Sequence, residues 1–97
     1  MTEVDNKIRG SIEHGIELQL ESNILNEDNE WVLDELPISS KKDFLLGFTI
    51  GKLMHLAWTV FKDNNYDATV SDLEVVKEII RRRLPEIETK IITELHI

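Results

Sequence analysis

Three histidines are the side chains best suited to acid–base chemistry or metal binding in this chain, which contains no cysteine. His14 lies three residues before Glu17, so the two side chains share a face if the segment is helical. One helix supplies at most two ligands in this way, whereas a zinc site requires three or four. His55 has Gly, Lys, Trp and Thr one helical turn away, and His96 is the penultimate residue. We therefore predict no catalytic residue and no metal site.

Two charged clusters are the other candidates for binding chemistry. The acidic cluster lacks the central glycine of a calcium-binding loop, and an apolar segment interrupts it; its members are Glu27, Asp28, Glu30, Asp34 and Glu35. The basic cluster is Arg81, Arg82 and Arg83. Three consecutive residues spread over about 200° of a helix, so they do not form one patch. We interpret the acids as solvated loop residues and the arginines as ion-paired residues that complement a helix end.

The composition of the chain excludes several functional classes. Without cysteine there is no disulfide framework, thiolate zinc site or cysteine nucleophile, and this usage fits a cytoplasmic protein. The N-terminus lacks the basic and apolar runs of a signal peptide. A net charge of −8 disfavours nucleic acids and anionic membrane surfaces. No glycine-rich phosphate loop or hydrolase motif is present, so we predict no cofactor.

The clearest element is a long apolar helix over residues 40–63. Ser39 or Ser40 is placed to cap its start, and Asp43 favours the positive end of the helix dipole. Its apolar side chains cover an arc of roughly 200°, with Trp58 near the middle, so Trp58 is expected to be among the most buried residues. Residues 44–61 are long enough for a membrane span, but Lys52 and His55 lie at their centre, and we predict a core helix instead.

The remaining segments are less uniform. Apolar residues at i, i+4 spacing predict a helix over 4–25; these are Val4, Ile8, Ile12, Ile16, Leu20 and Ile24. The alternation over 16–21 leaves a hairpin near 16–36 as the minority alternative, with residues 26–30 as a polar break and Trp31 in a short strand or helical turn. Residues 64–70 are predicted to be a loop, followed by a capping box over 71–74. Pro85 should end or kink that helix before a last one over 86–95.

These elements predict an all-α fold, a small three- to four-helix bundle in one domain over residues 1–97. The first turns of the central helix carry apolar side chains on the side that later becomes polar, and a monomer of this size has few helices to cover them. We therefore expect a homodimer whose interface contains Phe44, Leu45, Gly47, Phe48 and Gly51. The alternative is that residues 31–38 fold back over these turns.

The function expected from these features is a non-enzymatic protein–protein interaction, as an adaptor, regulator or inhibitor. The partner is a second copy or another protein. One alternative is a nucleic-acid-binding regulator that uses the helix over 71–84, with Lys77, Arg81 and Arg82 meeting phosphates. The other is a small enzyme with a site between subunits.

Overall fold

A computed structural model of the chain describes residues 3–96, and these form four α-helices and no strand. The helices are α1 (Glu3–Glu21), α2 (Glu27–Glu35), α3 (Lys41–Asp63) and α4 (Val70–Leu95). The predicted all-α bundle is therefore confirmed. The hairpin alternative near 16–36 is wrong, because α1 continues through the alternating segment and Trp31 lies in α2. The side chain of Val4 lies outside the described part of the molecule.

The core lies between α1, α3 and α4. Helix α1 contributes the i, i+4 row that the sequence predicts, because side chains at this spacing form one stripe on a helix. The fully or almost fully covered side chains are Ile8, Ile12, Ile16 and Leu20 from α1, with Val76, Ile79, Ile80, Ile87 and Ile91 from α4. Gly15 lets α1 approach α3 closely, since a Cβ there would lie 2.8 Å from Cδ2 of Leu56. This contact accounts for a glycine that otherwise costs helix stability.

Helix α3 has a capped start and a single row of buried residues. The Ser40 hydroxyl accepts a hydrogen bond from the Asp43 amide at 3.2 Å, so the predicted cap is confirmed. The buried row of α3 consists of Leu45, Thr49, Leu53, Ala57 and Phe61. The expectation that Trp58 is buried is wrong, because its side chain is 57% exposed. The face of α3 that packs against α1 and α4 is here called the inner face. It includes the polar residue Thr49, so it is not centred on the apolar arc.

The connection between α1 and α2 is held by the end of α4. Both carboxylate oxygens of Glu94 accept backbone amides, from Ile24 and Leu25, at 2.9 Å each. The fully buried Asn29 donates to the Ile24 carbonyl at 2.7 Å and accepts from the Asn26 amide at 3.0 Å. The prediction of a polar break over 26–30 is therefore wrong, since this segment caps and begins α2. Side chains of Glu94 and Asn29 thus form hydrogen bonds with the backbone of this connection, which has no helical partners of its own.

Helix α4 begins two residues earlier than the sequence pattern indicates. Thr69 is its cap: the Thr69 hydroxyl accepts from the Asp72 amide, and the Asp72 carboxylate accepts from the Thr69 amide at 2.8 Å. The predicted capping box over 71–74 is wrong, and Glu74 instead pairs with Lys77 at 3.0 Å. Both boxes have the spacing that the motif requires, and the Thr69 box adds two residues to the helix.

Pro85 does not end the last helix, so the prediction of separate helices on its two sides is wrong. Proline has no amide hydrogen for the carbonyl one turn earlier, which destabilises a helix interior. Pro85 is exposed, so water is available to the carbonyl that it leaves without a helical partner. Buried isoleucines lie on both sides of it, at Ile80 and Ile87, and packing holds the two halves on one core.

Candidate interaction surface

The surface of interest is the side of α3 opposite its buried row, here called the outer face. Four of the five residues predicted for an interface are accessible there: Gly47 and Gly51 are exposed, and Phe44 and Phe48 are half-buried. Leu45 is different. It has no exposed surface and belongs to the core, so the outer face does not include it.

The two glycines leave a depression along the outer face. A Cβ atom built on either Gly47 or Gly51 would meet no atom within 4 Å. This differs from Gly15, whose missing side chain makes room for Leu56 inside the monomer. The space above Gly47 and Gly51 is open to an approaching helix, because backbone contact becomes possible where no Cβ intervenes.

Aromatic side chains border this depression. The rings of Phe44 and Phe48 lie 5.9 Å apart with an interplanar angle of 37°. Lys52 places its ammonium group 5.7 Å from the centre of the Phe48 ring, a cation–π distance. The Phe48 ring is therefore in contact with two side chains of its own helix, and it is half-buried.

Trp58 extends the outer face toward the end of α3, and sequence reasoning assigned it to the core. Residues 44, 51 and 58 are seven apart, and positions at that spacing drift by only about 20° around a helix. They consequently form one line with Gly51 at its centre. This heptad spacing is the signal in the sequence that places Trp58 on the same side of α3 as Phe44.

Helix α2 leaves the glycines of the outer face uncovered. Both Gly47 and Gly51 are exposed to solvent. Trp31 and Leu36, at and beyond the middle of α2, are 52% and 46% exposed. The alternative in which residues 31–38 fold back over these turns is therefore not the arrangement found.

The arginines of α4 are engaged in ion pairs. Arg81 and Arg82 both pair with Glu78, at 2.6 and 3.5 Å. Arg83 reaches across to α1 and binds Glu17 at 2.7 Å, and it binds Glu86 at the same distance. The hydrogen bond to Glu17 raises the pKa of the Arg83 guanidinium further above its usual value, so the guanidinium stays charged. The three side chains point to acids of the same molecule, as the sequence predicts.

The histidines and acids do not come together among residues 3–96. No group of three or more His, Asp or Glu side chains in that range has the geometry to hold a metal ion. His14, His55 and His96 are all exposed. The Thr59 hydroxyl donates to the backbone carbonyl of His55 rather than to its ring.

Helix α3 meets the length and composition of a membrane span. It is the one such helix in the described range, with a mean hydropathy of 1.4, and 28% of its most apolar segment is buried within the molecule. The core helix of a soluble protein has the same length and composition, so hydropathy does not distinguish the two.

No family model, no curated protein and no solved structure matches this chain.

Proposed function

We propose that this protein is a non-enzymatic helical module that acts by binding proteins, and that it associates with a second copy of itself through the outer face of α3. The supporting observation is the accessibility of aromatic side chains along that face, at Phe44, Phe48 and Trp58. Large accessible apolar patches are uncommon on monomers and mark interaction sites. A two-fold dimer is the simplest arrangement, because one patch covers its own copy. An adaptor, regulator or inhibitor is the role consistent with such a module.

We propose an aqueous, cytoplasmic setting for this association. A lysine at the centre of a span costs about 2.5–3.5 kcal/mol on insertion scales, and Lys52 lies near the middle of α3. Asp43 and Lys62 lie in the first and last turns, where they complement the helix dipole. The inner face of α3 is occupied by packing against α1 and α4. The lack of cysteine is consistent with a reducing compartment.

A nucleic-acid-binding role is a weaker alternative. Arg81, Arg82 and Arg83 each have a carboxylate partner in the same molecule. Phosphate binding would have to replace these pairs on a chain of net charge −8. We therefore do not extend the proposal to nucleic acids.

Replacing Phe48 with aspartate tests the proposed self-association. We expect the wild type to have twice the 11.3 kDa chain mass in solution by light scattering, and Phe48→Asp to have the chain mass. Burying a carboxylate against an apolar partner is strongly unfavourable, whereas in the monomer the same side chain reaches water. Leu18→Asp, at a half-exposed apolar position on α1, is the matched control and should stay dimeric.

A second variant guards against misfolding of Phe48→Asp. Gly51→Glu meets no atom within 4 Å at its Cβ, so the monomer should keep its helical circular dichroism while the close approach is blocked. A wild type that stays monomeric at high concentration would overturn the proposal. So would a dimer that Phe48→Asp and Gly51→Glu both leave intact.

A further inference from the structure

The outer face of α3 is symmetric in sequence about Gly51. Phe44 and Trp58 lie seven residues before and after it, and Phe48 and Met54 lie three residues before and after it. Gly47 and His55 lie four residues before and after it. All of these positions are exposed or half-buried. A two-fold axis at Gly51 that reverses the helix direction would therefore bring Phe44 opposite Trp58, Phe48 opposite Met54 and Gly47 opposite His55, with Gly51 opposite its own copy.

We infer that two copies pack their α3 helices antiparallel, with Gly51 on the two-fold axis and Phe44 of each copy against Trp58 of the other. This inference rests on the proposed function, because it assumes self-association through the outer face. In this arrangement Trp58 makes an intersubunit contact, and His55 occupies the space left open by Gly47 of the second copy. Aromatic pairs of this kind add stability beyond the area that they bury.

The shapes of the side chains favour the antiparallel arrangement over the parallel one. In a parallel pair each residue meets its own copy, so the glycines would allow the backbones to approach, while His55 facing His55 would hold the helices apart and leave a gap at Gly47. In the antiparallel pair the imidazole of His55 enters the open space above Gly47, where no atom lies within 4 Å of a built Cβ. Close-packed interfaces do not tolerate such gaps, because the lining atoms lose their dispersion contacts.

The distribution of charge favours the same arrangement. Helix α2 carries acidic residues and no basic ones, namely Glu27, Asp28, Glu30, Asp34 and Glu35. It lies at the end of the bundle where α3 begins, since only residues 36–40 connect the two helices. A parallel pair would bring both acidic α2 helices to one end, where like charges repel. The antiparallel pair separates them by about the length of α3, roughly 34 Å at 1.5 Å per residue.

Cysteine crosslinking tests the direction of the pair, and the chain provides a background without native cysteines. Two full-length variants, Gly47→Cys and His55→Cys, are prepared with tags of different mass, mixed, allowed to exchange subunits and oxidised. In the antiparallel pair residue 47 faces residue 55 of the other copy, whereas 47 and 47 are about 12 Å apart along the axis, too far for a disulfide. We expect a disulfide between the two differently tagged variants and none when either variant is oxidised alone.

Each other result is decisive. Crosslinking of each variant to itself, with little mixed product, would show a parallel pair and overturn the inference while leaving self-association intact. A dimeric mass without any crosslink would place the contact elsewhere and overturn both the inference and the proposed face. A monomeric mass without a crosslink would overturn the proposed function itself, and binding of that monomer to phosphatidylcholine vesicles would assign the face to lipid instead.

Fluorescence gives a second readout that does not depend on oxidation. In the Trp31→Phe variant the only indole is Trp58, which is 57% exposed in the monomer. We expect its emission to move to shorter wavelength as protein concentration rises through the dissociation constant. Adding Phe44→Ala to this variant should reduce the shift if Phe44 covers the indole of the second copy. An emission that stays that of a water-exposed indole in the dimer would overturn the contact.

Discussion

Single residues of α3 divide into those that hold the monomer together and those that remain available to a partner. Leu45 has no exposed surface, and its side chain lies among the isoleucines of α1 and α4. Trp58 has more apolar surface than Leu45, but 57% of it is in contact with water. Stability depends on the area removed from water and on the cavity left by truncation, so the smaller side chain carries the larger share of folding free energy.

Alanine substitutions at these two positions should therefore differ in the monomer. Leu45→Ala is expected to lower the free energy of unfolding by about 2–5 kcal/mol, through lost transfer energy and a cavity. Trp58→Ala should lower it by about 1 kcal/mol or less, as for other surface changes. Both are measured by urea denaturation followed by circular dichroism, at dilutions where light scattering reports the chain mass. A Trp58→Ala variant as unstable as Leu45→Ala would contradict this placement of the inner face.

At the scale of elements, α4 shows how packing overrides a local rule. A proline in a helix interior costs about 3 kcal/mol relative to alanine, because it removes a hydrogen bond and crowds the preceding turn. Pro85 nevertheless lies inside a helix that runs from Val70 to Leu95. The stripe of buried residues continues on both sides of it, and the Thr89 hydroxyl donates to the Pro85 carbonyl at 2.9 Å. The element persists because core contacts outweigh the local penalty.

Replacing Pro85 with alanine should consequently stabilise the protein. Because Pro85 is exposed, its removal sacrifices little packing, while the new amide hydrogen completes the helical ladder. We expect the free energy of unfolding to rise by about 1–3 kcal/mol, measured by urea denaturation. Pro37→Ala, in the exposed segment between α2 and α3, is the control. We expect it to leave the free energy of unfolding almost unchanged or to lower it. An unchanged or lower stability for Pro85→Ala would indicate that the ring packs against the core.

At the scale of the whole molecule, charge and apolar surface are separated. The chain has a net charge of −8, yet residues 44–61 contain a single charged side chain, Lys52, apart from His55. The outer face of α3 is therefore an almost neutral strip on an acidic body. Two copies that approach each other through this strip repel at long range and attract only at contact.

Salt should accordingly strengthen the self-association. At 0.01 M ionic strength the Debye length is about 30 Å, which exceeds the width of the molecule, whereas at 0.1 M it is about 10 Å. We expect the dissociation constant of the dimer, measured by analytical ultracentrifugation, to fall as sodium chloride rises from 10 mM to several hundred millimolar. A dissociation constant that rises with sodium chloride would instead indicate an interface made by ion pairs, formed by the acids of α2 rather than by the outer face of α3.

Much of the candidate surface was predictable because it depends on local spacing. Phe44, Gly47, Phe48 and Gly51 lie on the accessible side of the helix that was expected. Leu45 and Trp58 exchange roles, because a helical pattern gives the angles between residues of α3 but not the direction from which α1 and α4 approach. Because the buried row of α3 includes the polar residue Thr49, hydrophobicity alone did not identify this row as the side that packs against α1 and α4.

The sequence by itself determined the elements whose signals act within a few residues. The i, i+4 isoleucines of α1 and the Ser40 cap of α3 are of this kind, since helical periodicity and capping hydrogen bonds span at most one turn. Only the tertiary structure decided what depends on distant parts of the chain. Glu94 binds the Ile24 and Leu25 amides across about 70 positions of sequence, and core contacts carry α4 through Pro85. These outcomes follow from free energies of packing and burial that no local pattern contains.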